Sequence, residues 1–406
     1  MAAPKLRFKE FDNQWDKIKI NDQAQTVTSG SRDWAQYYSE SGDKFIRMTN
    51  LVRDGIYLDL SDLKFVQLPK DSNEGKRTSL KFGDILISIT AELGKLGWIP
   101  EGLGTAYINQ HTALVRMKDS VDSKFIAYSL STEKYNNKLN SLNDSGAKAG
   151  LNLGTIRNFE LIVPPKEEQT KIASFLSAVD EKISQLSQKH ELLSQYKQGM
   201  MQKLFSQEIR FKADDGSEFG EWENGCLGDI TAIQGGYAFK SNSFGKGATK
   251  VLRIGDIRNN IFLDCFNGVY SEEIPDARYV VSKDAIVMAL SGATFGKLGK
   301  VVTGSAYLNQ RVATFKVNEK TTNEYVYQVM LSKDFFNYIQ SIPTASAQPN
   351  ISNQDVINFE ILIPCLAEQT KIANFLSAID QKIEVVAQQI EQAKQWKKGL
   401  LQQMFV

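Results

Sequence analysis

The chain has 406 residues, of which 42% are hydrophobic and 23% charged, with a formal net charge of +1. This length and composition are typical of a globular protein of two to four domains. No apolar run approaches the roughly 20 residues of a membrane-spanning helix, and the first residues lack the apolar core of a signal peptide. Three scattered cysteines and only two histidines argue against disulfides and zinc sites, and favour a cytoplasmic location. A nucleic-acid binder with this charge must concentrate its basic residues on one face.

The first part of the chain, residues 1–165, predicts mixed, strand-rich structure, because short β-branched and aromatic segments alternate with Gly, Asp and Asn. The predicted strands are residues 45–52, 83–90, 105–110, 112–117 and 158–164. Residues 123–139 predict a helix. The last strand stops at Pro164, and Pro165 suits the first turn of a following helix.

A long helix is predicted from Glu168 to Phe205, a stretch without proline and about 55 Å long at 1.5 Å per residue. Its hydrophobic residues recur at alternating spacings of four and three, which is the seam of a coiled coil, interrupted by the polar His190 and Lys197. The seam consists of Ile172, Leu176, Val179, Ile183, Leu186, Leu193 and Met200.

The start of this helix occurs twice. The sequence EQTKIASFLSAVD at 168–180 returns as EQTKIANFLSAID at 368–380, with eleven of 13 positions identical. The segment SAYLNQRVATF at 305–315 likewise corresponds to TAYINQHTALV at 105–115. The second seam consists of Ile372, Leu376, Ile379, Ile383, Val386, Ile390 and Leu400. The chain is therefore a duplicated unit with a shared scaffold and different polar loops.

These patterns predict an α+β fold: two mixed strand-rich domains separated by a pair of long antiparallel coiled-coil helices, related by a pseudo-twofold internal repeat. The predicted segments are a first domain at 1–165, a helix at 166–206, a second domain at 207–365 and a helix at 366–406. The first helix ends where the second domain starts, and the second helix begins at that domain, so pairing must be antiparallel. We expect Met200 to lie opposite Leu376. The alternative is two independent amphipathic helices, each packed on its own domain.

Catalytic motifs are missing from the sequence. The segment from Gly292 to Leu298 is one residue short of a P-loop and has Leu298 where a magnesium-binding Ser or Thr belongs, so it is interpreted as a tight turn. Val163-Pro164-Pro165 lacks the leading Asn or Asp and the aromatic residue of an adenine methyltransferase motif. Two histidines leave no Ser/His/Asp set. We predict that this chain catalyses no reaction and binds no metal.

Polar, basic and aromatic loop residues are the remaining candidates for function, because Asn and Gln can pair with adenine, and Arg and Lys with guanine, in the major groove. The candidate DNA-binding residues are Ser31, Arg32, Trp34, Tyr37, Arg47, Asn50, Arg53, Gln110 and His111 in the first domain, and Tyr237, Lys240, Arg253, Arg258, Lys297, Gln310 and Arg311 in the second. Each could instead be solvated surface. Asn109 and Asn309 recur in both halves and could hold the shared scaffold.

The whole chain resembles the specificity subunit of Type I restriction-modification systems. The resemblance is most specific at 158–205 and 358–405, in the repeated EQxxIAxFLSxxDxKI pattern and in the endings KQGMMQKLF and KKGLLQQMF. It implies two target recognition domains that each read one half of an asymmetric, bipartite sequence in double-stranded DNA, with the helices as a spacer. It implies assembly with two modification subunits and with restriction subunits. S-adenosylmethionine, ATP and Mg²⁺ would belong to those partners, and this chain would bind no cofactor.

Two other functional classes fit parts of the sequence. A coiled-coil interaction scaffold would bind proteins and show no affinity for nucleic acid, even with methyltransferase subunits present. An autonomous repressor would bind specific DNA tightly as an isolated chain. A specificity subunit would bind specifically only after co-expression with its partners.

Overall fold

The computed structural model describes residues 4–69, 73–142, 150–292, 294–342 and 351–405. The chain forms two compact units: unit one comprises residues 1–186 and 389–406, and unit two comprises residues 187–388. Each unit contains part of both long helices, whereas the predicted boundaries treat the helices as separate segments.

Within the described residues, unit one contains three small sheets, with strand orders β1-β10, β2-β9-β6-β7 and β3-β5-β4-β8. Its elements are β1 (Asp16–Lys19), α1 (Ile20–Gln23), β2 (Ala24–Ser29), β3 (Tyr38–Ser39), β4 (Asp43–Ile46), β5 (Lys64–Val66), β6 (Ile85–Ser88), β7 (Leu96–Trp98), β8 (Ala106–Ile108), β9 (Thr112–Met117), α2 (Ser123–Ser131), α3 (Glu133–Ser141), α4 (Leu153–Arg157), β10 (Glu160–Val163) and the first part of the long helix α5 (Lys166–Phe205). Buried Ile85, Ile87 and Phe125 form part of its core.

Among the described residues, unit two has a related plan with five strands in place of four in one sheet, and its strand orders are β11-β21, β12-β20-β17-β18-β14 and β15-β13-β19-β16. Its elements are β11 (Glu223–Cys226), α6 (Leu227–Ile230), β12 (Thr231–Gly235), β13 (Phe244–Leu252), β14 (Asn260–Phe262), β15 (Val269–Ser271), β16 (Val280–Ser282), β17 (Ile286–Ala289), β18 (Leu298–Thr303), β19 (Ser305–Leu308), β20 (Val312–Val317), α7 (Asn323–Met330), α8 (Lys333–Ser341), α9 (Asn353–Ile357), β21 (Glu360–Ile363) and the first part of α10 (Leu366–Met404). The α+β fold with an internal repeat is confirmed.

The predicted helix at 123–139 is two helices, because the chain leaves helical geometry at Thr132. The backbone of Thr132 is extended, and its hydroxyl accepts a hydrogen bond from the amide of Tyr135 and so caps α3. A polar cap in the middle of an amphipathic pattern starts a new helix without interrupting the apolar periodicity. The apolar periodicity of the sequence is therefore the same for one helix as for two, and it did not predict the break.

The antiparallel arrangement of the long helices is confirmed by packing inside each unit. In unit one, Ile172 and Leu176 share a core with Leu400 and Met404. The ammonium of Lys397 lies 2.5 Å from the carboxylate of Asp180. All fourteen predicted seam residues are buried or half-buried. The seam therefore faces protein rather than solvent.

In unit two, the ammonium of Lys197 lies 2.7 Å from both carboxylate oxygens of Asp380. The predicted register places Lys197 opposite Ile379, so the observed partner differs by one position. Lys197 was one of the two polar interruptions of the first seam. Its burial beside a carboxylate shows why a lysine is tolerated there.

An arginine fixes the start of each long helix. In unit one, both oxygens of the fully buried Glu168 accept hydrogen bonds of 2.7 Å from Arg7. In unit two, Arg210 contacts both oxygens of the fully buried Glu368, at 3.1 and 2.7 Å. The positive end of the helix dipole also stabilises a carboxylate in the first turn of a helix.

The segment that carries each arginine is also tied to a helix end. The amide of Leu6 donates to the carbonyl of Gln403 at 2.9 Å, and the amide of Ile209 donates to the carbonyl of Lys203 at 3.2 Å. The two units thus repeat the same connection between a helix end and the arginine segment.

Candidate nucleic-acid interface

In unit one, the chain that leaves β2 runs against the end of β8. A Cβ on Gly30 would lie 2.1 Å from the carbonyl oxygen of Ile108, so only glycine fits at this crossing. The next residue, Ser31, forms a parallel bridge with Asn109, and its hydroxyl donates to the carboxylate of Glu74. The crossing therefore places residue 31 beside the turn that follows β8.

Unit two has the same crossing. A Cβ on Gly236 would lie 2.1 Å from the carbonyl oxygen of Asn309, and Tyr237 forms the parallel bridge with Asn309. The backbone is the same in both units, while the residue after the glycine changes from Ser31 to Tyr237. The ring of Tyr237 also packs against Phe239, with centroids 5.0 Å apart.

The adjacent turn presents two further candidates in each unit. In unit one, the amide of Thr112 donates to the carbonyl of Asn109 at 3.2 Å. The side-chain oxygen of Asn109 accepts from the amide of His111 at 3.1 Å. The imidazole Nδ1 of His111 lies 2.8 Å from the hydroxyl of Thr90, and its Nε2 lies 3.0 Å from the side-chain nitrogen Nε2 of Gln110. The recurring Asn109 thus holds the turn, as its structural interpretation implied.

In unit two, the amide of Val312 donates to the carbonyl of Asn309 at 2.8 Å, which closes the same turn. The amide of Leu290 donates to the carbonyl of Arg311 at 2.9 Å, as that of Ile89 does to His111 in unit one. Gln310 and Arg311 are exposed. One backbone frame therefore presents Gln-His in one unit and Gln-Arg in the other.

Two predicted DNA-binding residues are wrong because they lie in the interior. Trp34 is only 3% exposed, and its ring packs against Phe45 and Tyr107 with centroids 4.8 and 5.3 Å away. Asn50 is 1% exposed. Its side-chain nitrogen donates to the carbonyl of Asp59, and its side-chain oxygen accepts from the backbone amide of Arg47. Neither can reach a base edge in this fold.

Several candidate arginines hold loops. The guanidinium of Arg47 donates to the carboxylate of Asp62 at 2.6 Å, and this contact lowers the pKa of Asp62. Arg253 contacts Asp256 at 3.4 Å. Arg53 donates to a backbone carbonyl of the 91–95 loop at 3.3 Å, and Arg258 donates to that of Gly255 at 2.9 Å.

The fourteen candidates that remain divide by exposure. The exposed ones are Arg32, Arg53, Lys240, Arg258, Gln310 and Arg311; the half-buried ones are Ser31, Tyr37, Arg47, Gln110, His111, Tyr237, Arg253 and Lys297. Lys297 follows the turn after β17, where Gly292 and Gly296 adopt positive φ; Ala293 of this turn lies outside the described residues. All fourteen stay predictions as DNA contacts.

Structure adds two basic residues that sequence reasoning missed. Arg77 is exposed and donates to the carbonyl of Ser29 at 3.2 Å, beside the Gly30 crossing. In unit two, the guanidinium of Arg278 lies 4.7 Å from the ring centroid of Tyr279, which lies 5.5 Å from that of Tyr237. Arg77 lies 47 positions after Gly30 and Arg278 lies 42 positions after Gly236, so no local sequence pattern connects them with the crossings.

Neither a metal cluster nor a membrane helix is found in the described ranges. No group of three or more His, Cys, Asp or Glu side chains there could hold a metal ion. Among the same residues, none of the helices combines the length and apolar character needed to cross a bilayer.

Comparison with known proteins completes the picture of the repeat. The model of the Type I restriction modification DNA specificity domain matches this chain twice, at residues 13–195 and 220–395. The chain belongs to this family. Its two family domains correspond to the sequence repeat described above, and the resemblance to specificity subunits is confirmed.

Individual relatives agree with this assignment. The Type I restriction enzyme MjaVIII specificity subunit of Methanocaldococcus jannaschii is 31% identical over 257 residues, which cover 60% of each chain. The putative MjaX specificity subunit of the same organism is 27% identical over 418 residues, covering 98% of this chain and 94% of the relative. A crystal structure of the S subunit from M. genitalium has the same fold, with a TM-score of 0.65 at 17% identity over 100% of this chain and 99% of that one.

Proposed function

We propose that this chain is the non-catalytic DNA-recognition subunit of a Type I restriction-modification complex, and that each unit reads one half of an asymmetric, bipartite target. The observation that carries the proposal is the pair of equivalent turns. Both have the same backbone hydrogen bonds, yet they present His111 in unit one and Arg311 in unit two. A shared frame with unlike side chains suits two readers of unlike half-sites, which a symmetric homodimer could not provide.

The chemistry of these side chains fits base-edge recognition. Arg311 can donate two hydrogen bonds to guanine, and Gln110 and Gln310 can donate to and accept from adenine. Exposed Arg32, Arg77 and Lys240 are suited to phosphate contacts, which position a protein without reading sequence. The small net charge is compatible with this role, since partner subunits can supply further phosphate contacts.

The long helices have two proposed roles: they set the gap between the half-sites, and they dock two modification subunits. The regular buried seam supports the first role, because a packed helix pair has a fixed length. Exposed apolar residues on the helices, Leu192, Tyr196, Val385 and Trp396, support the second. Methylation and cleavage would occur in modification and restriction subunits, which would bind S-adenosylmethionine, ATP and Mg²⁺. We place the complex in the cytoplasm.

Co-expression of the chain with its modification subunits, followed by methylation-sensitive sequencing of the host DNA, tests the proposal. Replacing residues 1–165 by the corresponding domain of another specificity subunit should change one half of the methylated motif and leave the other intact. A change in both halves would contradict modular reading. Specific binding by the isolated chain would instead favour a repressor, and no DNA binding with modification subunits present would favour a scaffold.

The spacer role has its own test. Inserting two helical turns into both long helices should lengthen the gap between the half-sites while the bases on either side stay the same. An unchanged gap in the sequenced motif would refute the spacer role. It would leave the reading of half-sites by the two units unaffected.

A further inference from the structure

Unit two contains an open groove over the β11–β21 sheet, with a volume of about 830 Å³. Its floor is apolar and includes Phe205, Phe359 and Ile361; its rim carries three carboxylates, Asp229, Asp334 and Glu360. We call this the β11–β21 groove. None of its lining residues belongs to the Gly236 crossing or to the 309–311 turn.

The same surface in unit one is covered. Phe405, Phe159 and Leu161, which correspond to the three floor residues, are 8%, 2% and 0% exposed. In unit two all three floor residues are half-buried. The repeat thus leaves apolar side chains partly open in one unit at positions where the other unit closes them.

One substitution in the sheet contributes to the difference. Ile18 pairs with Leu161 in the β1–β10 sheet, and Gly225 pairs with Ile361 at the same register of the β11–β21 sheet. Unit one therefore packs an aliphatic side chain against its core at the position where unit two has only a hydrogen. A Cβ on Gly225 would lie 2.7 Å from Cδ1 of Ile363, so the side chain of Ile363 occupies the space next to Gly225 and the groove extends over the three neighbouring floor residues.

The charge of the surface is reversed as well. By the same registers, Lys17 and Lys19 correspond to Asn224 and Cys226. Lys134, the second residue of α3, corresponds to Asp334, the second residue of α8. The rim of the groove has thus lost three ammonium groups and gained a carboxylate.

One carboxylate of the rim, Glu360, lacks the ion-pair partner found in unit one. Lys17 forms a 2.7 Å ion pair with Glu160. The counterpart of Glu160 is Glu360, which has no ion pair within the ranges that the structure describes. The amide of Cys226 donates to Asp229 at 2.7 Å and lowers the pKa of that carboxyl, so Asp229 is charged at neutral pH.

The strand at the edge of the groove also differs. In unit one, the amide of Ile162 donates to the hydroxyl of Tyr135 at 3.1 Å. In unit two, Leu362 has the place of Ile162, and Phe335 has that of Tyr135 without the hydroxyl. The amide of Leu362 therefore lacks this acceptor, and the carbonyl of an extended peptide could take its place.

We propose that the β11–β21 groove binds an extended segment of a partner protein in which a bulky aliphatic side chain is flanked by basic residues. In unit one the corresponding strand residues are Lys17, Ile18 and Lys19, of which Ile18 packs against the core and Lys17 pairs with Glu160. The aliphatic side chain would cover the open floor, and the basic residues would face the acidic rim. Nucleic acid is disfavoured there, since its phosphates would meet three carboxylates. The inference does not depend on which DNA the chain reads.

Fluorescence anisotropy of the full chain with a labelled peptide, Gly-Lys-Ile-Lys-Ile-Lys-Gly, tests the proposal. The peptide should bind saturably, and the same peptide with Glu in place of Lys should not. In a Cys265→Ser/Cys365→Ser background, binding should also slow alkylation of Cys226, which lines the groove. The double variant Asp334→Lys/Glu360→Lys should weaken binding by about tenfold or more, since like charges would face each other.

The matched control is Lys134→Asp, which changes the charge at the equivalent position of unit one and should leave peptide affinity unchanged. Failure of the lysine peptide to bind would overturn the proposal, as would equal binding of the glutamate peptide or unprotected Cys226. Protection of Cys226 by double-stranded DNA would also overturn it. Self-association of the chain that disappears in the double variant would assign the groove to a second copy instead of a partner.

Discussion

Each unit has an equivalent Asp–Lys ion pair between its two long helices, but the residues around the aspartate differ. In unit one, Asp180 contacts Lys397 and also accepts a 2.6 Å hydrogen bond from the hydroxyl of Tyr128. In unit two, Asp380 contacts Lys197 and accepts from the side-chain amide of Gln328 at 2.9 Å. The side chain of Asp180 is 12% exposed, and that of Asp380 is 38% exposed.

This comparison separates what the repeat needs from what it tolerates. The Asp–Lys pair recurs because its two residues fix one helix against the other. The third partner varies because each carboxylate oxygen can accept more than one hydrogen bond, so any donor of suitable reach can add to the ion pair. Burial and Asp180 both raise the pKa of Tyr128, so its hydroxyl stays protonated and continues to donate.

The largest difference between the units is expected at the arginine that fixes each helix start. Arg7→Leu leaves Glu168 buried without its partner, and should lower the free energy of unfolding by about 3 to 5 kcal/mol. Arg210→Leu should cost about 1 to 2 kcal/mol less, because Trp222 still donates to Glu368 at 2.8 Å. Urea unfolding with hydrogen exchange resolved at 166–180 and 366–380 measures both.

Lys9→Leu is the control, since Lys9 is exposed and follows the arginine segment of unit one. It should change the unfolding free energy by less than about 0.5 kcal/mol. The indole nitrogen of Trp15, the counterpart of Trp222, has no hydrogen-bond partner among the described residues. Equal losses for Arg7→Leu and Arg210→Leu would mean that the Trp222 contact contributes nothing.

The helix junctions should show a smaller difference of the same kind. Lys397→Met leaves Asp180 buried with only Tyr128, and should cost about 2 to 3 kcal/mol. Lys197→Met should cost about 1 kcal/mol, because the more exposed Asp380 can be solvated. Double-mutant cycles with Asp180→Asn and Asp380→Asn measure the two coupling energies. A larger coupling energy in unit two would contradict this order.

Sequence predicted the repeat, the long helices and their antiparallel direction, because 168–180 and 368–380 are nearly identical and the seam spacing is regular. It could not predict that Trp34 is buried, because the local sequence of a polar loop does not show whether its Trp side chain packs inward or faces solvent. It missed the β11–β21 groove because this depends on aligning Ile18 with Gly225, which lie at a different offset from the 200 residues that relate the helices.

The burial of Asn50, which the sequence predicted as a DNA contact, gives a third test. Asn50→Ala removes a buried side chain that bonds to the backbone on both sides, and should cost about 2 kcal/mol without changing the methylated motif. At the equivalent position of unit two, the carboxylate of Asp256 accepts a hydrogen bond from the backbone amide of Arg253. Asp256 is only half-buried, so Asp256→Ala should cost only about 1 kcal/mol. Thermal unfolding and methylome sequencing of the same variants measure the two effects. A changed motif in Asn50→Ala would restore its predicted role in reading DNA.

The equivalent turns give the smallest effect in energy and the most specific one. Arg311→Ala should relax one half of the recognised motif by about 1 to 2 kcal/mol of base discrimination, within the range for one good base contact. His111→Ala should act only on the other half. Binding to DNA variants in complex with the modification subunits measures both. Relaxation of the same half by both substitutions would show that the turns do not divide the target between them.

Unit one consists of two separate stretches of the chain, and this has a consequence for synthesis on the ribosome. Unit two is continuous in sequence, from 187 to 388, whereas unit one needs residues from 389 onward. Phe405 stacks on Phe125 with centroids 5.2 Å apart, and Leu400 and Met404 lie in the same core. Domains commonly fold in the order in which they emerge. Here the unit that begins first is completed last, so its apolar face stays open to chaperones until the whole of unit two has been made.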